Sequence, residues 1–193
     1  MPRVKLFDEQ EVLEKAMNLF WKKGYYATSI NDLVNHLGIN RASLYDTYGG
    51  KRELFEKAFT HYKTGNTHII KQFLSAQPNI REGFKNLFNQ AIRQSCSDKD
   101  SKGCMVVNTT IEFIPNERDF LPLLSDNKKQ FEKIFHEYLL LGVERGQLSG
   151  DKDFTAIASL LFTFYNGLKV VTKVACDESI FSNSVDALLS VLD

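Results

Sequence analysis

The 193-residue chain is 43% apolar, 12% aromatic and 25% charged, and its 24 Lys and Arg balance its 24 Asp and Glu. That composition excludes a disordered, highly charged tail and a fibrous repeat, and it supplies enough apolar mass for one or two packed domains. A net charge of zero also excludes a protein that coats nucleic acid or anionic membrane by bulk charge, so any such binding rests on a local patch.

The opening residues Met1 to Lys5 lead into no apolar export segment, and Cys96, Cys104 and Cys176 form neither a CxxC pair nor an even disulfide framework. The chain therefore reads as cytoplasmic and reduced. Ala156 to Val171 is the most apolar stretch, but it carries Ser159, Thr163, Asn166 and Lys169. It falls short of the ~18–20 apolar residues a membrane span needs and reads as a buried helix.

Helical periodicity dominates, without alternating runs or an internal repeat, and predicts an all-α protein. Leu13, Ala16, Met17, Phe20 and Trp21 share one stripe of a helix from about Asp8 to Lys23, which Gly24 stops. Thr28 and Ser29 cap a two-turn helix with Asp32 as the capping partner, and Gly38 ends it. Ile39 is a buried turn residue, and Asn40 caps a third short helix from Arg41 to Tyr48, closed by Gly49 and Gly50. A fourth helix from Lys51 buries Phe55, Ala58, Phe59 and Tyr62, extends to about Leu74, and stops at a boundary from Ser75 to Pro78. Further helices are predicted from Ile80 to about Ser97, Cys104 to Phe113, Leu123 to Arg145, Phe154 to about Ala175, and Ser179 to Leu192. A polar stretch from Ser97 to Gly103 and a loop bracketed by Pro115 and Pro122 separate them.

Two short helices joined by a Gly-containing turn and carried on a first helix have the geometry of a helix-turn-helix, which presents its second helix to the major groove. The run from Thr28 to Phe55 resembles the N-terminal domain of the TetR family of transcriptional regulators, through the Leu37-Gly38-Ile39 turn, the Leu44-Tyr45 pair and the Gly49-Gly50-Lys51 exit. The resemblance covers about Asp8 to Ala58. It implies a three-helix DNA-binding domain over 1–55, joined by the long fourth helix to a helical effector-binding and dimerisation domain over 56–193. It further implies a one-component regulator of the repressor type, bound to double-stranded operator DNA as a dimer and released by a small-molecule effector or by thiol modification.

Charge supports that placement, because Lys15, Lys22, Lys23, Arg41, Lys51 and Arg52 stand against only Asp32 and Asp46 between positions 15 and 52, with Arg3 and Lys5 as a basic arm. Leu44 and Tyr48 should face the core, leaving Ala42, Ser43, Asp46 and Thr47 outward with Arg41 and Tyr45 as base and backbone readers. Thr28 and Ser29 at the start of the second helix, and Lys51 at the start of the fourth, are the candidate phosphate contacts. Where relatives commonly read His-Tyr-Phe after Leu-Tyr, this chain has Asp46, Thr47 and Tyr48. Asp46 therefore either accepts from a cytosine amine or points away.

In the second half, Ala156, Ile157, Leu160, Leu161, Phe164, Gly167, Leu168 and Val171 leave their helix without a polar face. A homodimer through the last two helices is expected. An effector pocket is expected between the fifth and eighth helices, where Phe88, Phe135, Tyr138, Phe162 and Tyr165 give apolar walls and Asn108, Glu112 and Asn166 give polar groups. Cys104, at a helix start beside Lys102, has the surroundings of a nucleophilic thiol, and Cys96 is its possible disulfide partner. No HExxH, P-loop or nucleophile-elbow motif is present, so neither enzyme activity, cofactor nor metal is expected. The alternative class is an all-α small-molecule-binding protein or enzyme without sequence-specific DNA binding.

Overall fold

A computed structural model describes residues 7–115 and 117–193, so the basic arm of Arg3 and Lys5 lies outside the described residues. Among the described residues there are α-helices and short 3₁₀ turns and no strand. In chain order the helices are α1 (Glu9–Lys23), α2 (Ile30–Leu37), α3 (Arg41–Tyr48), α4 (Lys51–Ser75), α5 (Ile80–Ser97), α6 (Met105–Phe113), α7 (Leu121–Glu144), α8 (Phe154–Val171) and α9 (Glu178–Leu189).

Side-chain caps set the starts of the first three helices. Asp8 accepts from the Gln10 and Glu11 amides, Ser29 and Asp32 form a reciprocal capping box, and Asn40 accepts from the Ser43 amide. Gly38, at φ +69°, ends α2 in the left-handed conformation and makes the sharp turn into α3. Three boundaries differ from the sequence expectation. α7 begins at Leu121 because Arg118–Phe120 forms a 3₁₀ turn and Pro122 falls in the first helical turn, where a missing N–H costs nothing. α8 stops at Val171, and the last turn of the chain, Ser190–Leu192, is 3₁₀ rather than α.

Two apolar cores form. One joins the end of α4 to α5, α7, α8 and α9 through residues such as Leu74, Phe84, Phe135, Leu161 and Val185. The other joins α1, α2, α3 and the start of α4 to α6 and the start of α7, through Phe20, Leu33, Leu44, Phe55, Phe113 and Phe120. α6 is thus far along the chain yet packed into the core of the helix-turn-helix. Phe113 stacks on Phe55 at 5.2 Å and 14° and meets Phe120 at 4.4 Å.

α8, read from sequence as a helix without a polar face, is buried on one side only. α8 is long and apolar enough to cross a membrane, but only 28% of it is buried, with Leu161, Tyr165 and Leu168 inward and Leu160, Gly167, Val170 and Val171 exposed. One face meets the protein's own core and the opposite face is open.

The cysteine reading is corrected as well. Cys96, near the end of α5, forms a disulfide with Cys176 in the turn after α8, across a Cα separation of 5.4 Å, and Cys104 is the free, buried thiol. Cys104 cannot pair with Cys96 here because it caps α6 and turns into the N-terminal core. The crosslink spans a sequence separation of 80 residues, for which chain entropy gives a stabilisation of about 4.5 kcal/mol. Urea unfolding should show the protein losing that amount on reduction, whereas Cys176→Ser should unfold at the same urea concentration with and without reductant.

Candidate nucleic-acid interface and adjoining cavity

The turn between α1 and α2 places the start of the interface. Thr28 is fully buried and its hydroxyl donates to the Gly24 carbonyl at 2.6 Å. Its side chain therefore builds the turn and is not a phosphate ligand, which corrects the sequence reading. Ser29 is exposed, but its hydroxyl and amide both donate to the Asp32 carboxylate, at 2.7 and 2.8 Å. The Ser29 hydroxyl, with Lys23 at 2.9 Å, holds the Asp32 carboxyl well below the usual carboxylate range.

α3 is anchored on its inner face. Leu44 is fully buried, Tyr48 is nearly so, and the Tyr48 hydroxyl donates to the Glu9 carbonyl of α1 at 3.0 Å. With that face fixed, Arg41, Ala42, Tyr45 and Asp46 stand exposed, and Ser43 and Thr47 are half-buried beside them. Among the described residues, Arg41 and Asp46 make no ion pair, so both ends of this face keep their hydrogen-bonding capacity. Tyr45 lies against Gly50, where a Cβ would come within 3.6 Å of its ring, so the tyrosine sits at the start of α4. Lys51 begins α4 with its ammonium 4.2 Å from the centre of the Tyr25 ring, and burial pushes its pKa down.

The nine residues expected around an effector do not converge. Phe88, Phe135 and Tyr138 are interlocked with Phe84 and Tyr165 in the closed C-terminal core. Phe162 packs on Phe131 at 5.6 Å, and Asn166 donates to the Phe162 carbonyl of its own helix. Asn108 bridges the Lys102 carbonyl and the Lys173 ammonium, and Glu112 binds backbone amides of the turn after α1. Only Cys104 and Tyr165 of the set line one cavity, of about 300 Å³, which they share with Met17, Trp21, Tyr62 and Lys169.

That cavity lies between α1, α4, α8 and the start of α6. The Tyr62 hydroxyl is 3.9 Å from the Cys104 sulfur, and burial first, then the neighbouring Cys104, pushes the phenol well above its ordinary range. Burial also raises the Tyr165 phenol and lowers the Lys169 ammonium. From sequence Met17, Trp21 and Tyr62 are buried stripe positions and Lys169 a polar residue on an apolar helix, none of them a cavity wall. Periodicity shows which residues leave a helix together, but it does not show that α1 and α8 meet across a gap. Among the described residues no group of three or more His, Cys, Asp or Glu is placed to hold a metal ion.

Comparison with known proteins places this geometry. Residues 12–58 match the family model of bacterial regulatory proteins of the tetR family. The chain is 36% identical to the HTH-type transcriptional regulator YezE of Bacillus subtilis (strain 168), covering 100% of both. It is 28% identical to the HTH-type transcriptional repressor ComR of Escherichia coli (strain K12), over 87% of this chain and 80% of that one. A cysteine mutant of the TetR family transcriptional regulator CifR, solved with 26-bp double-strand operator DNA, has a TM-score of 0.87 and 27% identity, over 99% of this chain and 100% of that one.

The assignment of Thr28 has a direct test. Thr28→Val removes the donor to the part-buried Gly24 carbonyl and should cost about 1–3 kcal/mol of stability. Thr28→Ser, which keeps the hydroxyl, should cost less than half of that in the same urea titration.

Proposed function

The chain belongs to the TetR family of bacterial transcriptional regulators, and on that premise we propose that it is a homodimeric repressor, acting inside the cell and released from its operator by occupancy of the Cys104 cavity. The observation that carries the DNA-binding reading is the exposed row of Arg41, Ala42, Tyr45 and Asp46 on α3, held outward by buried Leu44 and Tyr48. A short helix fixed in this way can enter a major groove and aim those side chains at base edges and phosphates.

One α3 spans too few base pairs for useful specificity, so a second copy is required. The open face of α8, with Leu160, Gly167 and Val171 exposed at helical spacing, supports pairing there, and exposed Ile180 and Ala187 extend it along α9. Nothing lies within 4 Å of a Cβ built on Gly167, so that position admits the close approach of another helix. The most apolar stretch of the chain is then half core and half interface.

The cavity supports regulation because two of its walls, Met17 and Trp21, belong to α1, which carries the helix-turn-helix. A small molecule there, or a group added to the Cys104 thiol, would bear on α1. It releases DNA only if it fits the state that cannot reach two successive grooves better than the state that can.

Purified protein should run as a species of about twice the 22.1 kDa chain mass in light scattering and should enrich a two-fold symmetric motif from fragmented host DNA. On that motif Arg41→Ala and Tyr45→Ala should each weaken binding by ~5-fold or more, as loss of a contact worth about 1–3 kcal/mol requires. N-ethylmaleimide should release the wild type and leave Cys104→Ser bound. A monomer, or enrichment of no motif, would refute the reading.

A further inference from the structure

α6 touches the helix-turn-helix at its two ends in different ways. At its start, the Gly103 carbonyl accepts from the Trp21 indole at 3.1 Å, next to the cavity. At its last turn, Glu112 sends both carboxylate oxygens to the turn after α1. Oε2 accepts from the Tyr25 amide at 3.0 Å and Oε1 from the Tyr26 amide at 2.7 Å. Successive backbone amides converging on one anion form a cradle. Here the anion comes from 86 residues further along the chain.

The cradle is shaped for a carboxylate. Gly24 has φ +84°, and a Cβ there would lie 3.1 Å from one Glu112 oxygen and 3.2 Å from the other. Any other residue is strained at that φ and crowds the anion. The same turn carries the part-buried bond from Thr28 to the Gly24 carbonyl, and α2 begins two residues after Thr28, at Ile30. Beside it, Glu117 accepts from both the Tyr26 hydroxyl and the Arg52 guanidinium. Arg52 also holds Glu56 and Asp119 and lies 4.4 Å from the centre of the Phe120 ring. These bonds tie the turn that aims α2, and the start of α4, to the last turn of α6 and the loop after it.

We propose that Glu112 is a positioning residue for DNA binding: an anion supplied by α6 that fills the cradle of the Tyr25 and Tyr26 amides beside Gly24 and thereby fixes the aim of α2 and α3. The inference rests on the reading of α2 and α3 as the DNA-contacting pair. Glu112 touches no DNA. Its removal leaves the recognition face chemically intact and unfixes its orientation.

The test uses the full-length dimer and its selected operator. Glu112→Ala should bind that operator at least ~10-fold more weakly, the loss expected for two charge-assisted hydrogen bonds, with the same sequence preference and the same salt dependence as the wild type. Glu112→Gln, which keeps one acceptor, should fall between. Hydrogen exchange should rise at Tyr25 and Tyr26 in both variants while the α5 and α9 core stays protected, which separates an unfixed turn from general unfolding. Sodium formate, compared with sodium chloride at equal ionic strength, should restore part of the affinity of Glu112→Ala and none in the wild type, because a free carboxylate can refill the cradle. Unchanged affinity in Glu112→Ala, or formate acting no better than chloride, overturns the proposal. A wild type that selects no operator refutes the function reading instead, a result that none of the variants can mimic.

Discussion

The stack of Phe113 on Phe55 is the contact on which the arrangement of this protein depends. Phe113 ends α6 and Phe55 begins α4, and Tyr25, Phe120 and Phe59 close around the pair. Phe55 and Phe113 are both fully buried, and burying a Phe side chain is worth about 1.5–3 kcal/mol. Such burial is strong but has little direction, so the stack alone would allow the helix-turn-helix to rock about it. Direction comes from the few polar bonds at its rim, the Glu112 carboxylate on two amides and the Arg52 guanidinium among three carboxylates. Apolar mass holds the halves together, and polar geometry sets the angle between them.

The same rim changes the meaning of the local charge. Six cations against two acids between positions 15 and 52 read as a patch for phosphates, yet four of the six are engaged elsewhere. Lys15 pairs with Glu11, Lys22 with Asp100, Lys23 with Asp32, and Arg52 with Glu56, Glu117 and Asp119. The lysine pairs are exposed and worth little individually, so those side chains can turn to a phosphate at small cost. Arg52 is different, because it is held on several sides and lies over a ring; its role is in the junction. Arg41 and Lys51 are the two that make no ion pair among the described residues, and they stand at the starts of α3 and α4.

The helix-turn-helix was legible in the sequence because its determinants are local. Ser29 with Asp32, Asn40 with Ser43, and Gly38 lie within a few residues of what they shape, and the buried pair Leu44 and Tyr48 follows from spacing alone. Thr28 is a local case, its hydroxyl turned onto Gly24 four residues back, where spacing alone allows either the turn or solvent. The other departures join distant segments: Glu112, on a mostly apolar helix, meets amides 86 and 87 residues away. Cys96 found Cys176 rather than its nearer neighbour Cys104 for the same reason. Aromatic residues expected to wall an effector pocket fill the core instead, since a stripe of Phe has the same period in either role.

α6 holds these observations in one mechanical frame. It is nine residues long, about 13 Å at the rise of an α-helix, with Cys104 and the Trp21 contact at one end and the Glu112 cradle at the other. A helix this short does not bend appreciably, so under the proposed regulation a displacement at the cavity would be carried to the cradle as a tilt. Hydrogen bonds weaken steeply as their angle departs from linear, whereas apolar burial is non-directional, so a small tilt would misalign the polar rim before it separates the Phe113 and Phe55 rings. Direction is then lost while the core stays closed. On the proposed function, that ordering suits a reversible regulator: the DNA-binding helices would come free of their setting while the protein remains folded and ready to recover it.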